Sequence, residues 1–263
     1  MVKEINARPE IDEDCRARYE AYEREHWQEL QHCVSLANLS LQEVMLHAPA
    51  FIRRREMARL LAHYELFRLI AEMPGSIAEL GVYLGTGFFT WSKLLETFNP
   101  GDRGRKVYGF ESCAGYESFA PQDGACRPWV DRLIGSMQPG EEYLQRMVAL
   151  HNNDNFLRGV ERCKLIKGDI CATVEEFARN ALGTRLSLLY FDVNLFAPTL
   201  AGLRHLYPLV LSGGVVAFNA YGSPPWEGEG QAIESYFAEI GQPVPRMRKF
   251  AFSIYPNAYF VKP

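Results

Sequence analysis

Acidic side chains close short apolar runs in this 263-residue chain: Glu79 in SIAELGVYLGTG, Glu111 in KVYGFES and Asp192 in LSLLYFDVN. A further acid, Asp169, follows CKLIKG, and an amide, Asn219, follows VVAF. In an open α/β sheet, ligands bind outside the carboxyl ends of the strands, so these positions are candidates for chemistry. The first run reads E-x-G-x-x-x-G-x-G, from Glu79 through Gly81, Tyr83, Gly85 and Thr86 to Gly87. A dinucleotide fingerprint would read G-x-G-x-x-G, and that spacing is missing from this turn. Glycines after a first strand let the backbone approach a ligand and turn tightly into a helix. The leading acid suits a ligand with a positive group, and S-adenosylmethionine, with its ammonium and sulfonium, fits that charge. The plain alternative is an ordinary strand-to-helix turn.

Glu111 and Ser112 end the second run, 32 residues after Glu79, a length that suits one β-α-β step. An acid there is placed to accept hydrogen bonds from both hydroxyls of a ribose. Asp169 and Ile170 end the third run, where an adenine amino group would be read; Asp169 could instead cap a helix starting near Thr173. Asp192 ends the fourth run, beside the place expected for a transferred methyl group.

The elements that must hold these residues alternate. Strands are expected at 76–80, 106–110, 163–167, 186–191 and 215–218, with helices between them at about 87–97, 138–150, 172–181, 197–208 and 229–240. Such alternation predicts a parallel sheet covered on both faces. The tail, RKFAFSIY (248–255) and AYFVK (258–262), reads as a closing antiparallel pair. Helical periodicity also marks 10–34 and 52–73, and residues 113–137 form a long irregular insertion. The economical division is an N-terminal helical extension over 1–50 and one α/β domain over 51–263. The net charge of −4 gives no electrostatic reason to expect nucleic acid or an anionic membrane as partner. The polar start MVKEINARPEIDED lacks the apolar core of a signal peptide, and no run approaches the ~18 apolar residues of a membrane helix. A cytoplasmic location is therefore expected. Six cysteines without a C-x-x-C and six scattered histidines argue against a zinc site.

Together the motifs ELGVYLGTG, VYGFESCAGY, LIKGD, YFDVNLFAPT and GGVVAFNAYG-SPPWEGEGQAI, after the helix FIRRREMARLLAHYELF, resemble the macrocin O-methyltransferase family of S-adenosylmethionine enzymes. The resemblance covers the chain from about residue 50. It implies a class I methyltransferase fold, Rossmann-like, with a seven-stranded mostly parallel sheet and a reversed last strand. It places Glu79, Gly81, Gly85, Glu111 and Asp169 on cofactor positions. Tyr83, Thr86, Ser112, Ile170 and Asp192 are candidates beside them, and Arg54 is a candidate for the cofactor carboxylate.

The departures from the family pattern carry information. The family commonly has acids where this chain has Asn194, Asn219 and Ala220, and its sugar O-methyltransferases hold magnesium there. One carboxylate, Asp192, with two neutral amides is a poor magnesium cage, so no functional metal is expected. An alcohol without metal or strong base keeps its proton, whereas an aliphatic amine of pKa about 8 is already roughly a tenth neutral at pH 7. N-methylation is the expectation that follows. In these features the chain is most similar to the lincosamide N-methyltransferases of the celesticetin and lincomycin antibiotic pathways, which act on a sugar–amino acid conjugate. That group implies a homo-oligomer, with a hexamer possible, whose N-terminal segments close over the site. Tyr19, Phe119 and Asp192 are the expected catalytic residues. Tyr19, Tyr22, Phe119, Phe196 and Asn219 are the expected acceptor contacts. Two rival readings are a magnesium-dependent O-methyltransferase of a nucleotide-linked deoxysugar and an inactive methyltransferase fold used as a binding module.

Overall fold

Every residue of β1 (Ser76–Leu80) is buried, the signature of a parallel strand with helices on both faces. It is followed by β2 (Val107–Glu111), β3 (Cys163–Lys167), β4 (Leu186–Phe191), β5 (Val210–Phe218) and β6 (Ala258–Val261). The sheet order is β3-β2-β1-β4-β5-β6, parallel throughout except for β6, which runs antiparallel to β5. The computed structural model describes residues 13–116, 118–133 and 140–263. The chain divides into two units, Met1–Met57 and Ala58–Pro263.

The first unit holds α1 (Glu13–Leu36), α2 (Leu41–Leu46) and α3 (Ala48–Phe51), and the division falls within α4 (Arg54–Ile70). Ser40 starts α2 with a reciprocal capping box, its hydroxyl accepting from the Glu43 N–H while Glu43 accepts from the Ser40 N–H. Within this unit the Arg53 guanidinium pairs with Glu23 and lies 5.7 Å over the Tyr22 ring.

In the second unit come α5 (Thr86–Phe98), α6 (Arg127–Leu133), α7 (Glu141–Asn153), α8 (Ile170–Asn180), α9 (Phe196–His205) and α10 (Glu227–Glu239). One face of the sheet packs Leu80, Phe110, Leu189, Phe191 and Phe218 against Val174, Leu203 and Phe237 of α8, α9 and α10. The other packs Ile77, Val107, Leu188 and Tyr190 against Leu66 and Phe67 of α4, Trp91 and Leu95 of α5, and Leu144 of α7. Fully burying one such side chain contributes about 1.5–3 kcal/mol, so two faces of this kind fix where each strand end lies. The end of α4 is tied down by Arg105, which is buried and donates to the carbonyls of Ile70, Ala71 and Gly75.

The expected seventh strand is not formed: the described residues give a six-stranded sheet. In RKFAFSIY the alternation is present, but Phe252 and Ile254 are 50% and 62% exposed, and a single bridge from Arg248 to Tyr259 is all that pairs. A strand whose apolar side chains find no face to cover gains nothing from pairing. β5 begins earlier than expected, at Val210, because Gly213 and Gly214 bond to Lys262 across the edge instead of turning.

Candidate active site

Between β1 and β4 the strand order reverses, and at that point a cleft of about 290 Å³ opens at the carboxyl ends of β1 to β4. Gly81 lines it with φ +85°, and a methyl group there would stand 2.5 Å from the Asp192 carbonyl oxygen, so glycine is required. Three residues that are not glycine also adopt left-handed backbone beside the cleft: Tyr83 (φ 50°), Cys113 (φ 59°) and Asn194 (φ 59°). Strain of this kind concentrates where the surrounding structure holds a site in place.

On the β2 side, Glu111 accepts the Tyr83 N–H at 2.7 Å and the Cys113 N–H at 3.0 Å while lining the cleft. Asp169 is the N-cap of α8, accepting the Cys171 N–H at 3.1 Å, and also lines the cleft. Ser112, Ile170, Tyr83 and Thr86 join them in the wall, and Gly85 supplies the left-handed N-cap of α5. Glu79 lies elsewhere. It is fully buried behind Gly87, accepts the Trp91 Nε1–H at 2.5 Å, and is not a wall residue. Burial first, then the nearby Asp192, pushes its carboxyl well above the usual range, and one of its oxygens has no hydrogen-bond partner.

At the β4 end, Asp192 lines the cleft and accepts Arg59 Nη2–H at 2.5 Å. Burial raises the Asp192 carboxyl even against the pull of Arg59. The buried His63, one turn along α4, donates Nδ1–H to the Arg59 carbonyl at 2.7 Å; burial and the Arg59 charge lower its pKa to about 3, so the ring is neutral. Next to Asp192 runs a line of side chains. Tyr190 Oη donates to Asn219 Oδ1 at 3.4 Å, Asn219 Nδ2 to Asn194 Oδ1 at 3.2 Å, and Asn194 Nδ2 to the Tyr116 hydroxyl at 3.3 Å. Asn194 and Tyr116 line the cleft; Asn219 is buried behind them.

Phe119 is half-buried against Tyr116, ring centroids 6.4 Å apart, with the Arg127 guanidinium 5.5 Å from it on the insertion. Phe196 opens α9, where its N–H donates to Asp123 at 2.6 Å, and its side chain packs on the sheet core rather than lining the cleft. Arg54 and Tyr22 are exposed residues of the first unit, and the side chain of Tyr19 lies outside the described residues. Sequence reasoning missed Arg59, Tyr116 and Asp123. Arg59 was discoverable, because it shares the buried stripe of α4 with His63, Leu66 and Ile70, where an arginine is rare without a partner. Tyr116 had no comparable signal.

The donor set does not fit a divalent cation. Among the described residues no three His, Cys, Asp or Glu stand together. Positions 194, 219 and 220 offer two amides and a methyl, and one oxygen of Asp192 is engaged by Arg59.

Residues 42–245 match the macrocin O-methyltransferase (TylF) family. Among solved structures, CalS11, a calicheamicin methyltransferase, superposes with a TM-score of 0.78 at 26% identity, over 91% of this chain and 92% of its own. A second structure of it, described as a TDP-rhamnose 3'-O-methyltransferase, gives 0.75 at 26% identity, over 91% and 94%. The O-methyltransferase NovP, at 21% identity and a TM-score of 0.60 over 78% and 79% of the two chains, shares the fold. Compared with curated protein sequences, the chain has no significant match.

Proposed function

The chain belongs to the macrocin O-methyltransferase family of S-adenosylmethionine-dependent enzymes, and from that premise we propose that it methylates the nitrogen of a secondary amine without a metal. One observation carries the reading: the amide pair Asn194–Asn219, with Ala220 beside it, occupies the strand ends, and Asp192 is paired with Arg59. The one carboxylate in that set, Asp192, is held in an ion pair by Arg59, whereas a neutral amine is nucleophilic without a base.

S-adenosylmethionine, when bound, supplies an electrophilic methyl group on a sulfonium. We assign Glu111 with Ser112 to its ribose, Asp169 with Ile170 to its adenine, and the Gly81–Thr86 turn, including Tyr83 and Gly85, to close backbone approach. Arg59, whose buried Nε has no partner, is assigned to the carboxylate in place of Arg54. Glu79 braces the turn from behind through Trp91. The acceptor side is assigned to Phe119 and to Asn219 acting from behind the cleft wall, with Asp192 beside the reacting centre. These residues orient the amine and exclude water, and orientation alone supplies on the order of 7–11 kcal/mol. The acceptor class is an amino acid joined to a sugar, as in the prolyl nitrogen of an N-demethylated lincosamide antibiotic intermediate.

A second reading, O-methylation of a nucleotide-linked deoxysugar, is favoured by the likeness to CalS11. Mass spectrometry of purified protein with S-adenosylmethionine and either N-demethyllincomycin or TDP-rhamnose separates them. Methylation of the amine is expected; methylation of the sugar alone would replace the first reading by the second.

A further inference from the structure

We propose that Tyr116 orients the methyl acceptor, its hydroxyl proton directed into the cleft by a one-way chain of hydrogen bonds that begins at Tyr190. The positive charge of Arg59, which pairs with Asp192, also acts on the Tyr190 hydroxyl and favours a proton turned away from it. Tyr190 passes that proton to Asn219 Oδ1, and Asn219 Nδ2 faces Asn194 Oδ1. Asn194 Nδ2 is then the group that meets the Tyr116 oxygen. A tyrosine whose oxygen already accepts from one side has its proton left for the other, and here the other side is the cleft that Tyr116 lines.

Burial, then the charge of Asp192, pushes the Tyr116 phenol above its ordinary range, so the proton stays on at neutral pH. Phe119 and Trp226 flank the ring, at 6.4 Å each, and hold its direction.

An outward O–H selects a chemistry. It opposes the N–H of an ammonium, and it pairs with an uncharged oxygen such as a carbonyl or ether. The acceptor therefore carries such an oxygen close to the methylated atom. This rests on the amine reading only for the identity of that atom. Carboxylates at positions 194 and 219 would end the chain in acceptors and draw the Tyr116 proton inward, so the amides are what keep it available.

The test is a double-mutant cycle with Tyr116→Phe and Asn194→Asp, using S-adenosylmethionine and N-demethyllincomycin. Each single variant is expected to raise the acceptor KM about tenfold, with kcat within about twofold and cofactor affinity by calorimetry unchanged. The double variant should be no worse than Tyr116→Phe, since Asn194 acts through Tyr116. Unchanged KM in Tyr116→Phe, or costs that multiply in the double variant, would overturn the proposal. Should Tyr116→Phe fail to fold, Asn194→Asp alone carries the same expectation for KM, and an unchanged KM in it overturns the proposal. If wild-type enzyme methylates TDP-rhamnose and leaves the amine alone, the amine reading fails, and the same cycle read on the sugar still decides the role of Tyr116.

Discussion

Both oxygens of Glu111 accept backbone N–H groups, from Tyr83 and Cys113, yet a carboxylate has about four acceptor sites and so has capacity left for the cleft. Hydrogen bonds to a charged group contribute about 1.5–3 kcal/mol. Glu111→Ala is therefore expected to weaken S-adenosylmethionine binding roughly 10- to 100-fold by calorimetry, and unchanged affinity would remove the ribose assignment. Arg59→Met should act differently. It leaves Asp192 buried without its partner, a change of about 3–5 kcal/mol in deeply buried pairs and less here, where Arg59 and Asp192 keep 30% and 18% of their side-chain exposure. A lowered Tm together with weaker cofactor binding is the expected pair of effects; a Tm equal to wild type would mean that the pair is not structural. Glu111, Asp169 and Asp192 were legible in the sequence because each ends a strand or directly follows one or its turn. Arg59 was obscured by the more conspicuous run Arg53-Arg54-Arg55, since a charge run draws attention away from a lone arginine on an apolar stripe.

At the scale of elements, two acids hold loops to helix starts. Asp123 accepts the N–H groups of Ala120 at 2.7 Å and Phe196 at 2.6 Å, which joins the insertion after β2 to the N-terminus of α9. Its negative charge complements that helix end, which has no side-chain cap of its own. Asp123→Ala should speed proteolytic cleavage within residues 113–130 while leaving cofactor binding near wild type; unaltered cleavage would show that the loop is held by its aromatic packing alone. Glu229, at the start of α10, is buried and accepts the Ala220 N–H at 2.7 Å, with its other oxygen unpartnered. Burial raises its pKa from 4.5 to about 8. Between those values the folded protein holds a proton that the unfolded chain has released, so this group's contribution to stability is full below about pH 4.5 and is lost as pH rises toward about 8. Glu229→Gln, which retains an acceptor for Ala220, should flatten the fall of Tm from pH 5.5 to 8.5; an equally steep fall would assign the titration elsewhere. The strands were readable from continuous apolar runs. The tail misled because alternation says which residues could share a face, not whether anything covers it.

At the scale of the whole molecule, the reversal of strand order between β1 and β4 gathers Glu111, Asp169 and Asp192, as many as 81 residues apart in the chain, into one cleft. That much follows from β-α alternation. Which residues complete the acceptor side did not, because the insertion has no periodicity from which its path could be read. The first unit exposes Tyr22, Trp27, Leu36, Leu41, Met45 and Leu46, more apolar surface than a solvated helical segment usually shows. Light scattering is expected to give a mass above the 29.9 kDa of one chain; a monomer mass would contradict self-association. Family membership fixes methyl transfer, and the two amides at the strand ends carry the proposed choice of an amine as nucleophile. The most direct measurement is the turnover of N-demethyllincomycin by enzyme stripped with EDTA, before and after magnesium is added. The same rate in both is the predicted result. Activity lost with EDTA and restored by magnesium would contradict a site that works through a neutral amine alone.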